Sequence, residues 1–308
     1  MNNQLTLSVS PHIHKKTSTA RIMLDVLIAL LPATAAGAVI FGLRALLVVA
    51  VTVAVCVGFE ALFNLLAHKE QTVGDLSAAV TGLLLALNLP ANIPLWQCVV
   101  GALFAIVVVK GLFGGLGSNP VNPAITARVF MLVAFGAMAK AAYPTIVDTV
   151  SGATPLASEE ATSLTDLLLG LHGGAIGETC ALALLVGFLY LLVRRVVTWQ
   201  LPVAFVGTVF LASFFMEGMD PMATLAAILS GGLFIGAFFM ATDYVTSPAT
   251  PWGKIIFGVG AGLITFLIRY FGTYPEGVSF AILFMNIITP YISSWTKRKV
   301  FGTGGKKA

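Results

Sequence analysis

Long apolar stretches follow one another along most of this chain, and many are close to the length needed to cross a lipid bilayer. The stretches 21–41 and 44–67 each run for more than twenty positions with very few charged residues. A helix crosses the hydrocarbon core with roughly 20 apolar residues. Only 10% of all residues are charged, against about 25% in soluble domains. The sequence therefore predicts an integral membrane protein.

The apolar stretches alternate with short polar connections, which predicts an all-α integral membrane fold with about ten transmembrane helices. The predicted spans are 21–41, 44–67, 76–89, 94–113, 122–139, 177–193, 201–216, 221–241, 252–271 and 277–295. The predicted organisation is an N-terminal segment 1–20, a five-helix unit 21–140, a polar loop 141–175, a second five-helix unit 176–296 and a basic tail 297–308. The N-terminal segment is too polar for the apolar region of a signal peptide, so we expect no cleavage there.

The basic residues predict the orientation in the membrane. With an even number of spans both termini lie on one side, and a cytoplasmic N-terminus places 14 of the 17 Lys and Arg residues on the inner side. Inner loops of membrane proteins are enriched in Lys and Arg. We therefore expect a multi-pass protein of the cell membrane with cytoplasmic termini and an extracytoplasmic loop 141–175. Basic residues at span ends indicate orientation and not nucleic-acid binding.

Two short similarities between the halves predict an inverted repeat. Pro94-Leu95-Trp96 is matched by Pro251-Trp252, and Phe113-Gly114 is matched by Phe271-Gly272. Five spans separate the copies, and an odd number inverts the second copy in the membrane. Such repeats usually form a site from broken helices at their interface. Chance resemblance between Gly- and Pro-rich apolar segments is the alternative.

The segment 117–124 has the composition of a broken helix with a ligand site at its start. Its sequence is Gly-Ser-Asn-Pro-Val-Asn-Pro-Ala, which combines capping residues with prolines suited to a first helical turn. A buried helix N-terminus offers free N–H groups and a positive dipole. Asn119 and Asn122 can each donate and accept hydrogen bonds, as the edge of a flavin ring requires. Plain helix capping explains the same residues.

The Asn-Pro-Ala run at 122–124 also occurs in aquaporins, which need a second such run in the other half. The matching place at 275–278 reads Pro-Glu-Gly-Val. This difference argues against a water channel, although an inverted-repeat transporter or channel without a redox role remains the alternative function.

Charged residues within predicted spans are the next candidates, because charges in membranes are costly and often functional. Glu60 and Arg128 lie inside or at the edges of predicted spans, where subunit contacts or snorkelling explain them equally well. Asp243, near a span end, could pair with a cation or line a polar cavity, and a solvated cap explains it equally well. Arg21 and Asp25 are four residues apart and can pair on one helix face. The cysteines Cys56, Cys98 and Cys180 lack metal-ligand spacing, so the sequence predicts no metal site.

The polar loop contains a candidate modification site. Asp148 is followed, after two residues, by Ser151-Gly152-Ala153-Thr154. This pattern resembles the flavin-attachment motif of membrane redox complexes, in which a transferase esterifies a threonine with the phosphate of FMN. The resemblance implies that Thr154 is the acceptor and that Asp148, Ser151, Gly152 and Ala153 serve recognition. A surface turn before a proline is the alternative.

The chain as a whole resembles the D subunit of the Rnf electron-transport complex and, more distantly, the B subunit of the sodium-pumping NADH:quinone reductase. The resemblance covers the Ser8 to His12 segment, Gly115 to Arg128, the motif around Thr154, and Met240 to Pro248. It implies covalent FMN on Thr154, a non-covalent riboflavin near 117–120, and a flavin transferase as partner.

The resemblance also implies the activity. The family works as one component, not catalytically complete alone, of a complex that passes electrons between ferredoxin and NAD and moves sodium or protons. No Gly-rich strand–turn–helix motif occurs in this chain, so NAD is expected on another component of the complex.

Overall fold

The computed structural model describes residues 18–136, 142, 163–272 and 277–297. In chain order the helices are α1 (Thr19–Phe41), α2 (Leu43–Leu66), α3 (Ser77–Leu87), α4 (Leu95–Leu103), α5 (Pro123–Ala134), α6 (Leu164–Leu169), α7 (Ala181–Val193), α8 (Gln200–Met216), α9 (Pro221–Leu229), α10 (Leu233–Ile235), α11 (Pro251–Phe271) and α12 (Val278–Trp295). A 3₁₀ turn, Val73–Asp75, precedes α3. Within these residues the regular structure is helical, and one isolated antiparallel bridge joins Ala142 to Gly174.

Four described helices are long and apolar enough to cross a membrane, namely α1, α2, α11 and α12. The pair formed by α9 and α10 with its continuation is a fifth candidate, bent by 67° at its break. The remaining apolar helices α3, α4 with its continuation, α5, α7 and α8 have 10–17 residues. The prediction of an all-α membrane fold is confirmed at this level, with four to five full-length spans by length and composition.

Three predicted spans differ in detail from the helices observed. The span 94–113 changes from α- to π-helix at Phe104, and the π-helical segment continues to Gly111. The span 122–139 is α-helical only to Ala134, because Phe135 is extended. The span 221–241 breaks after Leu229, where Ser230 is extended and Gly231 has a φ of +69°. Positive φ favours glycine, so this break is encoded locally.

Small residues let the helices approach closely. An ideal Cβ added to Gly187 in α7 would lie 2.0 Å from the carbonyl oxygen of Ala29 in α1. A Cβ on Gly258 in α11 would lie 2.7 Å from the carbonyl oxygen of Leu201 in α8. Close backbone contact through small residues is typical of helix packing in membranes. The first helices of the two halves, α1 and α7, are therefore in direct contact.

The two halves share one buried core. Leu30 of α1, Ile125 of α5 and Phe257 of α11 are fully buried members of the same apolar cluster. Helix α5, the last of the first half, also packs against α12, the last of the second. The connection before α7 folds inward, since the N–H of Ile176 donates to the carbonyl of Leu89 at 3.0 Å. The ends of the broken helices therefore meet inside the molecule.

Candidate functional site

A cavity lies between the halves, at the start of α5, and is called the central cavity below. Its walls come from α1, α3, the start of α5, the end of α7 and the turn after α10. The lining residues are Ile22, Met23, Val26, Ser77, Val80, Thr81, Leu84, Lys110, Leu116, Asn119, Asn122, Pro123, Ala124, Leu191, Val196, Val197, Phe239, Thr242, Asp243, Tyr244 and Val245. Its free volume is about 90 Å³, several times the roughly 10–15 Å³ that one water molecule needs.

Both asparagines of the predicted ligand site lie on this wall. Asn122 is the N-cap of α5, and its Oδ1 accepts from the N–H of Ala124 at 3.0 Å and of Ile125 at 3.3 Å. Its Nδ2 donates to the carbonyl of Met240 at 3.3 Å. The capping role is thus confirmed by geometry, and Asn122 also ties α5 to the second half of the chain.

Asn119 has fewer protein partners. Its Nδ2 donates to the carbonyl of Val121 at 3.0 Å, within the turn that leads into α5. Asn119 is 5% exposed and lines the central cavity. A buried amide beside a cavity offers hydrogen bonds to a ligand that enters. Asn119 has more side-chain capacity left for a ligand than Asn122, whose Oδ1 already accepts two hydrogen bonds and whose Nδ2 already donates one.

Two π-helical segments border the cavity. Phe104–Gly111 brings Lys110 to one side, and Gly236–Met240 brings Phe239 to another. A π-helix shifts the register of the side chains that follow it, and such segments are frequent at functional sites. The sequence predicts neither segment, because both have ordinary helical composition.

Lys110 and Glu60 form a buried ion pair beside the central cavity. The Nζ of Lys110 lies 2.6 Å from Oε1 of Glu60, and the two residues are 3% and 5% exposed. Lys110 Nζ also donates to Oγ of Ser77 at 2.5 Å, and Oγ1 of Thr72 donates to Oε1 of Glu60 at 3.1 Å. A buried pair is stable only with such additional hydrogen bonds, since removing charges from water is costly.

A second cavity, called the side cavity below, lies on the other side of this pair. Its free volume is about 260 Å³. The lining residues are Glu60, Phe63, Asn64, Lys69, Glu70, Thr72, Ile106, Lys110, Gly111, Gly114, Gly115 and Leu116. Lys110 lines both cavities, and Oε2 of Glu60 is buried without a hydrogen-bond partner. The ion pair therefore lies between two cavities.

A second buried cluster surrounds Arg128 of α5. Its Nη1 donates to Oδ1 of Asn88 at 2.6 Å, and its Nη2 lies 3.5 Å from Oε2 of Glu178. The other oxygen of Glu178 accepts from the N–H of Ala175 at 2.9 Å. Gly232 at the break after α9 leaves room for the pair, since a Cβ there would lie 2.9 Å from Oε2 of Glu178. Arg128 is thus buried and links the end of α3 to the segment before α7, and it is not a snorkelling surface residue.

The structure shows the positions and partners of two further charged residues, Asp243 and Asp25. Asp243 lines the central cavity and caps its own turn, with Oδ2 accepting from Oγ1 of Thr246 at 3.1 Å. Burial raises the pKa of Asp243, and hydrogen bonds from Val245 and Thr246 oppose that shift.

The predicted pairing of Asp25 with Arg21 is wrong. Asp25 instead pairs with Arg194 at the end of α7, at 3.1 Å. Tertiary packing of α1 on α7 turns Asp25 towards α7.

The predicted attachment motif lies outside the described residues. Asp148, Ser151, Gly152, Ala153 and Thr154 all fall in the stretch 143–162, so their role remains a prediction. Among the described residues, no cluster of three or more His, Cys, Asp or Glu could hold a metal ion.

The profile of the NQR2, RnfD, RnfE family matches residues 6–302, which is nearly the whole chain. The chain belongs to this family. Among its relatives, the D subunit of the Na⁺-translocating ferredoxin:NAD⁺ oxidoreductase complex of Acetobacterium woodii is 49% identical over 97% of this chain and 95% of its own. The proton-translocating counterpart of Clostridium ljungdahlii is 39% identical over 98% of this chain and 97% of its own. The predicted resemblance to the D subunit of the Rnf complex is confirmed.

A third relative widens the range of organisms. The D subunit of the ion-translocating oxidoreductase complex of Stutzerimonas stutzeri is 36% identical over 94% of this chain and 94% of its own. All three relatives are named as one component of an oxidoreductase complex. The first two name different ions, so similarity to them leaves the choice between sodium and protons open.

The sequence did not predict the ion pair between Lys110 and Glu60. The 14 Lys and Arg residues assigned to the inner side from the sequence include Lys110 and Arg128, and both of these side chains are buried. Without them the inner side still has a large excess of Lys and Arg. The signal was present as one acidic and one basic residue in two predicted spans, 44–67 and 94–113. Nothing in the sequence shows that those spans are neighbours, so the pair needed the structure.

Proposed function

We propose that this chain is the membrane-embedded D subunit of an ion-translocating ferredoxin:NAD⁺ oxidoreductase complex. In this proposal it relays electrons through FMN bound covalently to Thr154 and a non-covalent riboflavin in the central cavity. The 49% identity to the Acetobacterium woodii relative over nearly the full chain supports the assignment to the complex. The partners are then the other membrane and peripheral subunits of the complex, together with a flavin transferase.

One observation supports the second flavin most strongly: the central cavity combines apolar walls with polar groups at the start of α5. Residues such as Val80, Leu84 and Phe239 would exclude water from an aromatic ring. Asn119 would bond the polar edge of the ring, and Asn122 would hold the N-terminus of α5 in place. A bound flavin supplies one- and two-electron chemistry, and the protein supplies position and burial. The residues present fit such a group.

We also propose the ten-span inverted repeat with cytoplasmic termini. The contacts between corresponding helices support it, because α1 packs on α7 and α5 packs on α12. In this arrangement the short helices α3 and α5 cross together with the extended segments next to them, which pack inside the protein. Non-helical backbone is tolerated at membrane depth only where protein or a water-filled cavity surrounds it. The loop 141–175 with Thr154 is then extracytoplasmic.

The visible absorption spectrum of the chain, purified after co-production with the flavin transferase, tests this proposal. We expect a yellow protein with acid-stable flavin on the chain and riboflavin in the acid extract. A colourless, folded protein would instead favour an inverted-repeat transporter without a redox role.

A further inference from the structure

Lys110 is the one ionisable side chain, among the described residues, that lines both the central cavity and the side cavity. Two of its three N–H donors are directed to Oε1 of Glu60 and Oγ of Ser77. An ammonium group has no other hydrogen-bonding capacity than these three donors. Lys110 therefore has a donor left for a further partner, and the central cavity is next to it.

The pair is electrostatically sensitive because it is almost fully buried. Interaction energies between charges grow as the effective dielectric constant falls, so a new charge in the central cavity acts strongly on Lys110. If Lys110 turned towards that charge, few other groups would be available to stabilise the Glu60 carboxylate. Its Oε1 accepts from Oγ1 of Thr72, whereas its Oε2 has no hydrogen-bond partner.

We propose that Lys110 is a shared counter-cation, which balances Glu60 while the central cavity is neutral and balances the electron carrier there when that carrier becomes negative. This inference rests on the proposed function, because it takes the riboflavin of the central cavity as the carrier. It assigns Lys110 a positioning and electrostatic role that links the electron carrier to the side cavity.

The step is balanced in charge and atoms. A low-potential one-electron reductant, dithionite in the experiment below, gives one electron to the neutral flavin ring. No covalent bond forms or breaks, and Lys110 keeps its proton. Its long flexible stem lets the ammonium group turn from Oε1 of Glu60 to the ring. Glu60 is then left with an unbalanced negative charge at the side cavity, so arrival of the electron creates a demand for a cation there.

The test is a redox titration of the non-covalent riboflavin with dithionite, followed by its visible absorbance, in the purified whole complex. Lys110→Met should disfavour reduction at least tenfold, which is about 59 mV for a one-electron couple. Glu60→Gln should shift the potential in the opposite direction by a similar factor, because Lys110 is then free to balance the reduced ring. In the double variant no Lys110 remains for Glu60→Gln to release, so the potential should stay close to that of Lys110→Met. Such a departure from the sum of the two single shifts is the sign of coupled residues.

Two further variants serve as controls. Lys110→Arg keeps the positive charge, so the equilibrium constant for reduction should stay within about threefold of the wild-type value. Lys69→Met removes an exposed charge from the side cavity and should leave the potential unchanged. A general packing defect would release riboflavin and would not produce shifts of opposite sign. If Lys110→Met prevents assembly, Glu60→Gln decides, and an unchanged or lowered potential there contradicts the inference.

The two proposals fail in different ways. A wild-type complex without acid-extractable riboflavin overturns the proposed function at the central cavity. A wild-type complex that contains riboflavin, with unchanged potentials in Lys110→Met and Glu60→Gln, overturns only the role of Lys110.

Discussion

Asn122 makes both a local contact, as the cap of its own helix, and a tertiary contact with the other half of the chain. Its Oδ1 caps α5, as the sequence predicts, while its Nδ2 bonds the carbonyl of Met240 in the other half. In the amide orientation that satisfies both partners, Asn286 of α12 accepts from the N–H of Asn122 at 3.2 Å. The end of the first half is therefore fixed to the second half at the wall of the central cavity.

The asparagines give a prediction at the residue scale. In an Asn119→Leu, Asn122→Ser double variant, the helix cap survives because serine is also a good N-cap. The amide groups next to the central cavity are lost, so acid-extractable riboflavin should fall severalfold while covalent FMN is spared. Chromatography of the acid extract measures the first, and fluorescence of the denatured chain measures the second. Asn122→Ser alone controls for folding, and undiminished riboflavin in a folded double variant refutes the assignment.

The helices show which parts of the fold the sequence could predict. Asn122 with Pro123 marks the start of α5 correctly, because caps and prolines act through local backbone chemistry. The break after Leu229 was missed although Gly231 marks it locally. The π-helical segments were missed because packing across the molecule selects them. The pairing of Asp25 was wrong for the same reason, because helix spacing shows the neighbours within α1 but not α7. The central cavity and the Lys110–Glu60 pair likewise depend on which spans are neighbours.

The contact between α1 and α7 gives a prediction at the element scale. Gly187→Ala places a methyl group 2.0 Å from the carbonyl oxygen of Ala29 and should destabilise the protein by about 1–3 kcal/mol. Gly207→Ala in α8 is the matched control, because no atom lies within 4 Å of its Cβ. Alanine favours helices over glycine by roughly 1 kcal/mol, so Gly207→Ala should not destabilise. Thermal denaturation in detergent distinguishes the two, and equal effects would contradict the close contact.

At the scale of the whole molecule, the orientation of the chain determines where each proposed flavin lies. The excess of Lys and Arg on the inner side predicts cytoplasmic termini. The central cavity lies next to the first turns of α1 and α3 and the end of α7, so it opens towards the same side. In the proposed topology Thr154 lies on the opposite side, and in the proposed relay electrons pass between the two flavins across the protein.

This orientation predicts the outcome of a labelling experiment. A Ser158→Cys variant lacking the native cysteines should react with a membrane-impermeant maleimide in intact cells, because the proposed topology places its loop outside the cytoplasm. A cysteine placed at Ser18, ahead of α1, should react only after permeabilisation. The reverse pattern would invert the proposed topology.

The central claim is that this chain carries a flavin on Thr154, and intact-protein mass spectrometry tests it most directly. When the wild-type chain is produced with its transferase, we expect one phosphodiester-linked FMN. Thr154→Ala should carry none, because the bond needs a hydroxyl group, and Thr154→Ser should retain a fraction. Ser151→Ala should retain more flavin than Thr154→Ala, and Asp148→Ala should be reduced through weaker recognition. Undiminished FMN on Thr154→Ala, or no FMN on the wild-type chain beside an active transferase, would contradict the claim.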